Sequence, residues 1–527
     1  MEAWVPIESV WMRKSTLILA CLLLTASCIV ACGHESGPTD DATSVIYRGN
    51  GSAPGSLDPA AAEDIHAFNI LADLYEGLVT LSADGKLLPG VAESWSVSED
   101  GLAYTFFLRE DALWSNGERV TAGHFVNSYR RVTAPASTSA YAFLLDPVRE
   151  YVAVDESTLK IHLVEPTPHL LSLLSMPVAS PIPAMEVDSD SFVNPDKFVG
   201  NGAYVLTSRE AGGAIRLRRN PNYREEVAID EIVYLPIVDP LTELNLFRAG
   251  ELDITHSIPT ERIDSLRQSM PDAVRVAPSL ALYYLAFDLT EPPLDDASLR
   301  QALSMAIDRR QLVEIIGRGE RPAFGIVPDG IAGYKGAEFE WRDVSDEERR
   351  AEALRLYNEA GYNETAPLKI KYTYDSGDIH EKIALTVASM WRDALDVDVN
   401  LEKKEWQYFL DTRDQRSEWQ IMRFAWYGDY NHASTFTNIF RSTDEQNLPR
   451  FSNAEYDSLL AAASQERDPT HHTELLAEAE SLLLDEHPVA PLYFYVSKHL
   501  VASGIGGFEH NAIDRHLSRF LYLEADD

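Results

Sequence analysis

All three cysteines of this 527-residue chain, Cys21, Cys28 and Cys32, lie within its first 32 residues. Nothing downstream can form a disulfide, so the fold has to rest on buried apolar surface, which a chain of this length can supply. At a guide of about 100–200 residues per domain, the length allows two to four domains.

Those cysteines sit in and just after a distinctive leader. Arg13 and Lys14 precede an apolar run from Leu17 to Ala31, and the sequence then turns polar through Gly33, His34, Glu35 and Ser36. This is the pattern of an export signal, and the run is shorter than the roughly 20 residues a membrane-spanning helix needs. Ile29, Val30, Ala31 and Cys32 form a bacterial lipobox, in which cleavage leaves a lipid-bearing cysteine as the new first residue. Cys28, after Thr25, Ala26 and Ser27, is an alternative site, and Met12 an alternative start. The expectation is a signal peptide over residues 1–31 and a Gly, Ser, Thr and Pro-rich tether over 32–44. The expected product is an exported lipoprotein, anchored to the membrane in the periplasm or on the outer cell surface.

Charge excludes one class of partner. Lys plus Arg number 45 against 83 Asp plus Glu, a formal charge of −38, which leaves no basic footprint for nucleic acid. The acidity favours solubility and identifies no substrate.

Further along, Trp419 to Trp426 reads as a strand that runs out at Gly428 into a loop carrying Asp429. In isolation such an aspartate is a solvated turn residue. Here Arg423, Trp426, Asp429 and Tyr430 crowd charge and aromatic surface at the end of one strand, where ligands sit in α/β domains.

Taken in order, the chain shows Tyr75-Glu76-Gly77-Leu78 after a helix with Ile70, Leu71, Leu74 and Leu78 on one face. Trp114-Ser115-Asn116-Gly117, Gly200-Asn201-Gly202-Ala203-Tyr204, Asn220-Pro221-Asn222-Tyr223 and Arg300-Gln301-Ala302-Leu303 follow. This succession resembles the peptide-binding class of extracytoplasmic solute-binding proteins that feed ABC importers, over nearly everything after residue 45. The residue patterns agree with an α/β chain. Leu299, Leu303, Ala306, Val313 and Ile316 fall at helical spacing, with Asp296 or Ser298 as cap. Ile370, Tyr372 and Tyr374, then Ile383, Val387, Trp391 and Leu395, then Val397, Val399 and Leu401 read as a βαβ unit. A helix through Leu475, Ala479, Leu482 and Leu483 ends before Pro488. The resemblance implies a two-lobed, type II periplasmic-binding-protein (Venus-flytrap) fold with an inserted extra domain. Lobe I would comprise residues 45–83, 190–284 and 491–527, the inserted domain 84–189, and lobe II 285–490.

Catalytic constellations are missing from the sequence. His380-Glu381-Lys382-Ile383-Ala384 begins like a zinc-protease helix, but Ala384 stands where the second histidine must be. His471 and His472 are adjacent, would point about 100° apart on a helix, and read as a surface pair. Gly200 and Gly202 lead to no third glycine, no Gly-Lys-Ser/Thr follows, and no Gly-x-Ser-x-Gly elbow exists. The expectation is a binding protein with no cofactor and no metal site.

The resemblance also carries over to ligand-facing positions. Asp429 occupies the place of an aspartate that pairs with a peptide's α-ammonium group, and Ala425, Trp426 and Tyr427 would offer main-chain groups to the peptide as an added strand. Trp406 would wall a side-chain pocket, with Arg413 and Arg423 near the ligand's charged groups. His380 would face the carboxylate and Tyr495 would close the cleft. For Trp406 and Tyr495 the alternative is ordinary packing, and for His380 a solvated helix start. One extra residue between Arg413 and Arg423, relative to oligopeptide binders, leads us to expect Arg413 to aim differently. The implied function is a monomeric oligopeptide receptor that delivers cargo to a membrane permease. Alternatives on the same fold are receptors for dipeptides, nickel chelates, haem or oligosaccharides; a lipid-anchored hydrolase is the alternative of another class.

Overall fold

The computed structural model describes residues 43–183, 189–331, 333–415 and 418–524. The expected signal peptide, Cys32 and most of the expected tether lie outside the described residues. Ser44–Asp527 forms one compact unit. No described helix is long and apolar enough to cross a membrane.

The chain enters through β1 (Val45–Gly49) and α1 (Ile65–Leu74). Asp64 caps α1 by accepting the Ala67 N–H at 2.7 Å, and Ile70, Leu71 and Leu74 are buried. Leu78, expected on the same helical face, is instead buried in the turn beyond it, because Gly200 and Gly202 press against the helix end. A Cβ on Gly202 would lie 2.3 Å from the Asp73 carbonyl oxygen. Asn201 bridges the same turn, accepting the Glu76 N–H at 3.1 Å and donating to the Glu76 carbonyl at 2.8 Å. The Gly-Asn-Gly motif is therefore a device for close backbone packing.

The next segment holds β2 (Ala92–Val97), β3 (Ala103–Leu108), α2 (Ala122–Val132), β4 (Val148–Ala153) and β5 (Thr158–Leu163). Its strands form an antiparallel sheet in the order β2-β3-β5-β4. Three further strands, β6 (Tyr204–Arg209), β7 (Ile215–Arg219) and β8 (Glu231–Leu235), join β1 in the order β1-β8-β7-β6, with β1 parallel to β8. The two sheets share one core, in which Phe106, Trp114 and Leu159 belong with Leu71, Tyr204 and Tyr234. The inserted segment is thus fused to its host lobe by apolar burial, the main favourable term in folding.

The second lobe is built on six strands: β9 (Val274–Phe287), β10 (Arg321–Pro322), β11 (Lys369–Asp375), β12 (Asp398–Lys404), β13 (Ile421–Tyr427) and β14 (Val489–Leu500). Their order is β10-β14-β9-β13-β11-β12. β11, helix α5 (Asp378–Leu395) and β12 form the expected βαβ unit, with the strands parallel from Lys369↔Asp398 to Asp375↔Lys404. The single helix expected from Leu299 to Ile316 is two: α3 (Ala297–Met305), capped by Asp296, and α4 (Arg309–Ile316). Asp308 accepts the Gln311 N–H at 2.9 Å and so starts a new helix where the apolar spacing alone suggested continuity. Helix α6 (Trp406–Gln415) precedes β13, and α7 (Pro469–Glu486) ends at His487, φ 49°, before Pro488.

β9 and β14 are long and pair with each other, with a slip in register between Pro278 and Leu282. The buried clusters change at that slip. Leu280 and Phe494 belong to the second lobe's core, whereas Leu500 packs with Leu244, Ile258 and Leu266. The boundaries expected at 284/285 and 490/491 fall inside these two strands, which run on from one lobe to the other. The last segment returns to the first lobe, where the Ser518 N–H donates to Asp73 and Arg519 to Glu76, each at 2.9 Å.

Candidate functional site

β13 is paired unevenly, and that creates the site. Against β9 it is paired along its whole length, from Ile421↔Phe287 to Tyr427↔Ala281. Against β11 it is paired only at Tyr372↔Ile421 and Thr373↔Met422. The Asp288 N–H bonds to the Gln420 carbonyl at 2.9 Å and the Gly428 N–H to the Leu280 carbonyl at 2.7 Å. Antiparallel bonding alternates, so even-numbered residues face β9 and the main-chain groups of Ala425 and Tyr427 face the other way. On that side β11 has already parted from β13. An unpaired strand edge remains, a template for an added strand.

Asp429 stands at the end of this edge. Its N–H donates to Thr435 Oγ1 at 3.2 Å, while its carboxylate accepts no hydrogen bond and has no ion-pair partner among the described residues. Burial raises its pKa to about 6 from 3.8. It lines a cavity of about 420 Å³ together with Phe143, Leu144, His169, Trp426 and Tyr430. The Trp426 Nε1–H is buried and also without an acceptor among the described residues. A partly dehydrated carboxylate with nothing to neutralise it is a standing invitation to a cation. Behind it, His169 stacks on Tyr430 with ring centroids 5.0 Å apart, and His432 sits 5.6 Å from His169. Burial holds the pKa of these two imidazoles down to about 4 and about 3, so this wall is neutral at pH 7.

Six residues before Asp429, Arg423 is buried and already paired. Its Nε lies 2.8 Å and its terminal nitrogen 2.5 Å from Asp375 Oδ1, at the end of β11. Its guanidinium packs over the rings of Phe409 at 4.8 Å and Trp406 at 5.7 Å, both on α6. His380, in the first turn of α5, meets the Tyr283 hydroxyl through Nδ1 at 3.2 Å and lies 3.8 Å from Asp375 through Nε2. Burial, then the nearby Arg423 charge, lower its pKa to about 4. The tyrosines continue the network: Tyr283 stacks on Tyr493 at 4.9 Å, Tyr493 lies edge-on to Tyr495 at 5.1 Å, and Tyr495 sits 5.2 Å from Tyr427.

The structure therefore brings Arg423, Ala425, Trp426, Tyr427, Asp429, Trp406, His380 and Tyr495 around one strand. Trp406 and Tyr427 remain exposed. Arg413 takes its ion pair from the adjacent Asp414 at 2.7 Å, and no hydrogen bond or ion pair among the described residues joins it to Arg423, Asp375 or His380. Sequence reasoning missed Asp375, Tyr283 and Tyr493. The alternation of Tyr493 and Tyr495 signals a shared face, but nothing in the turn-like run around Asp375 reveals a partner 48 residues away. The reading of His471 and His472 as a surface pair needs correction. His471 is exposed against Glu466, whereas His472 is buried, its Nδ1 2.7 Å from the Ala463 carbonyl and its ring 5.1 Å from that of His432.

Among the described residues one group brings metal-ligating atoms together: Asp514 Oδ1 lies 2.8 Å from His499 Nε2 and 3.0 Å from His516 Nε2. The Thr255 carbonyl, 2.9 Å away, takes the Nδ1–H of His499. A proton on its Nε2 then answers Asp514, and the group is satisfied as a hydrogen-bonded ion pair.

Comparison with known proteins gives a consistent result. The family model described as "Bacterial extracellular solute-binding proteins, family 5 Middle" matches residues 86–447. The chain is 35% identical over 525 residues to the periplasmic oligopeptide-binding protein OppA of Escherichia coli K12, covering 95% of this chain and 96% of that protein. In structure it is similar to the periplasmic murein tripeptide binding protein MppA in its unliganded open form, with a TM-score of 0.86 at 34% identity, over 92% of this chain and 98% of that one. Haemophilus influenzae OppA in complex with the peptide RPPGFSPFR gives a TM-score of 0.71 at 32% identity, over 92% of this chain and 100% of that one.

Proposed function

The chain belongs to the family 5 bacterial extracellular solute-binding proteins, and on that premise we propose that it captures oligopeptides between its two lobes and hands them to the permease of an ABC importer. Members of this family are transport receptors rather than enzymes. The observation that carries the reading is the unpaired edge at Ala425 and Tyr427 beside the unpartnered Asp429 carboxylate. An edge takes a peptide backbone of any sequence, and the carboxylate fixes its amino terminus. Trp426 and Trp406 line pockets for side chains, and Tyr495 with the other tyrosines walls the cleft.

The higher TM-score against an unliganded open form than against a peptide complex supports reading this arrangement as the open state. Closure would bend β9 and β14 at their register slip, bringing lobe I (45–83, 190–284, 491–527) and the inserted domain (84–189) towards lobe II (285–490). Cys32 would carry the lipid that keeps the receptor beside its permease. Small-angle scattering combined with calorimetry tests the mechanism: peptides should bind, be recovered intact and compact the protein. Saturating peptide that produces no heat and no compaction would refute it.

A further inference from the structure

A peptide anchored at Asp429 and paired with β13 runs antiparallel to it, towards Arg423. At about 3.3 Å per residue, three or four peptide residues span about 10–13 Å, which brings a short peptide's carboxylate to the middle of the strand, where Arg423, Asp375 and His380 gather. From sequence, Arg423 is expected near the ligand's charged groups and His380 is expected to face that carboxylate. The structure gives the Arg423 charge another partner: Asp375 approaches it at 2.5 and 2.8 Å, and both side chains are at least nine-tenths buried. The third member, His380, is a neutral imidazole whose Nδ1 is engaged by Tyr283. A ligand carboxylate arriving here would meet one positive and one negative charge. Displacing Asp375 would strand that carboxylate, which is costly in a buried setting.

Resting on the reading of this cleft as a peptide site, we propose that Asp375 is a specificity-determining residue. By neutralising Arg423 it stops the cleft from reading a free carboxylate at the third or fourth ligand position. The ligand class is then peptides with a free amino terminus that run on past Arg423, with no advantage for those that end there. One other cation, Arg318, acts on His380 from the loop just after α4. It belongs to a different element and is untouched by a change at Asp375, so a comparison between variants isolates the Asp375 effect.

The test is calorimetry with tripeptides and tetrapeptides that are free at the amino terminus and either free or amidated at the carboxyl terminus. Wild type should bind acid and amide within about threefold of each other. Asp375→Asn keeps the shape, releases Arg423, and should favour the acids by tenfold or more. Asp375→Asn combined with Arg423→Gln removes both charges and should return the ratio to that of wild type, which separates carboxylate recognition from mere loosening of the fold. Wild type that already prefers acids tenfold, or an Asp375→Asn ratio that does not move, overturns the inference while leaving peptide capture standing. Wild type that binds no peptide of either kind overturns both.

Discussion

Replacing Asp429 by asparagine should change ligand affinity and protein stability in opposite directions. The carboxyl is raised from 3.8 to about 6 by burial alone, and at 1.36 kcal/mol per pKa unit this corresponds to about 3 kcal/mol of unfavourable solvation held in the ionised, ligand-free site. An α-ammonium group arriving at the carboxylate relieves it. Asp429→Asn should therefore cost free peptides about 3 kcal/mol, roughly a hundredfold in affinity. Amino-terminally acetylated peptides carry no ammonium, should already bind poorly to wild type, and should change little on mutation. That difference isolates the charge pair from main-chain contacts that both peptide forms keep. The pH dependence has a definite sign. The folded pKa lies above the unfolded one, so this group's stabilising effect is complete below about pH 4 and is lost as pH rises through about 6. Without ligand, Asp429→Asn should then melt at a higher temperature than wild type at pH 7. Wild-type affinity for free peptides should decline below about pH 6, as the carboxylate is protonated. Calorimetry and thermal melts at several pH values measure all of these quantities. Equal affinity of wild type for free and acetylated peptides would refute the reasoning and make Asp429 a turn residue.

Other expectations follow from other parts of the chain. Cys32→Ser should leave the exported protein unprocessed or released from membranes; a variant fractionating and maturing like wild type would exclude the lipobox. Gly202→Ala pushes a methyl against the Asp73 carbonyl and should lower stability by about 3 kcal/mol, read as a reduced urea midpoint. Although burial acts against both charges, pairing raises the pKa of His499 and holds that of Asp514 well below the carboxylate range. The Asp514 contribution is present above about pH 4 and the His499 contribution is complete below about 6.5, so His499→Gln should destabilise most between those values. A gap between wild type and variant that is flat with pH would show that this pair is not ionised.

Much of this protein was legible without coordinates. Apolar alternation and helical spacing placed the βαβ unit, and the Gly428 break placed Asp429 at a strand end, because strand and helix periods are local properties of the chain. The same local logic merged α3 with α4, since spacing cannot see that Asp308 caps a new helix, and it extended α1 to Leu78 without sensing the glycines some 125 residues on. The charge state of the site was beyond reach. Arg423 is a free cation on paper and a neutralised one in the fold because β11 ends beside β13 and delivers Asp375 to it. The unpaired edge likewise exists only because those two strands part after two paired positions. Pairing between distant segments is decided by how whole elements pack, and packing sets which charges meet and which backbone groups are left open.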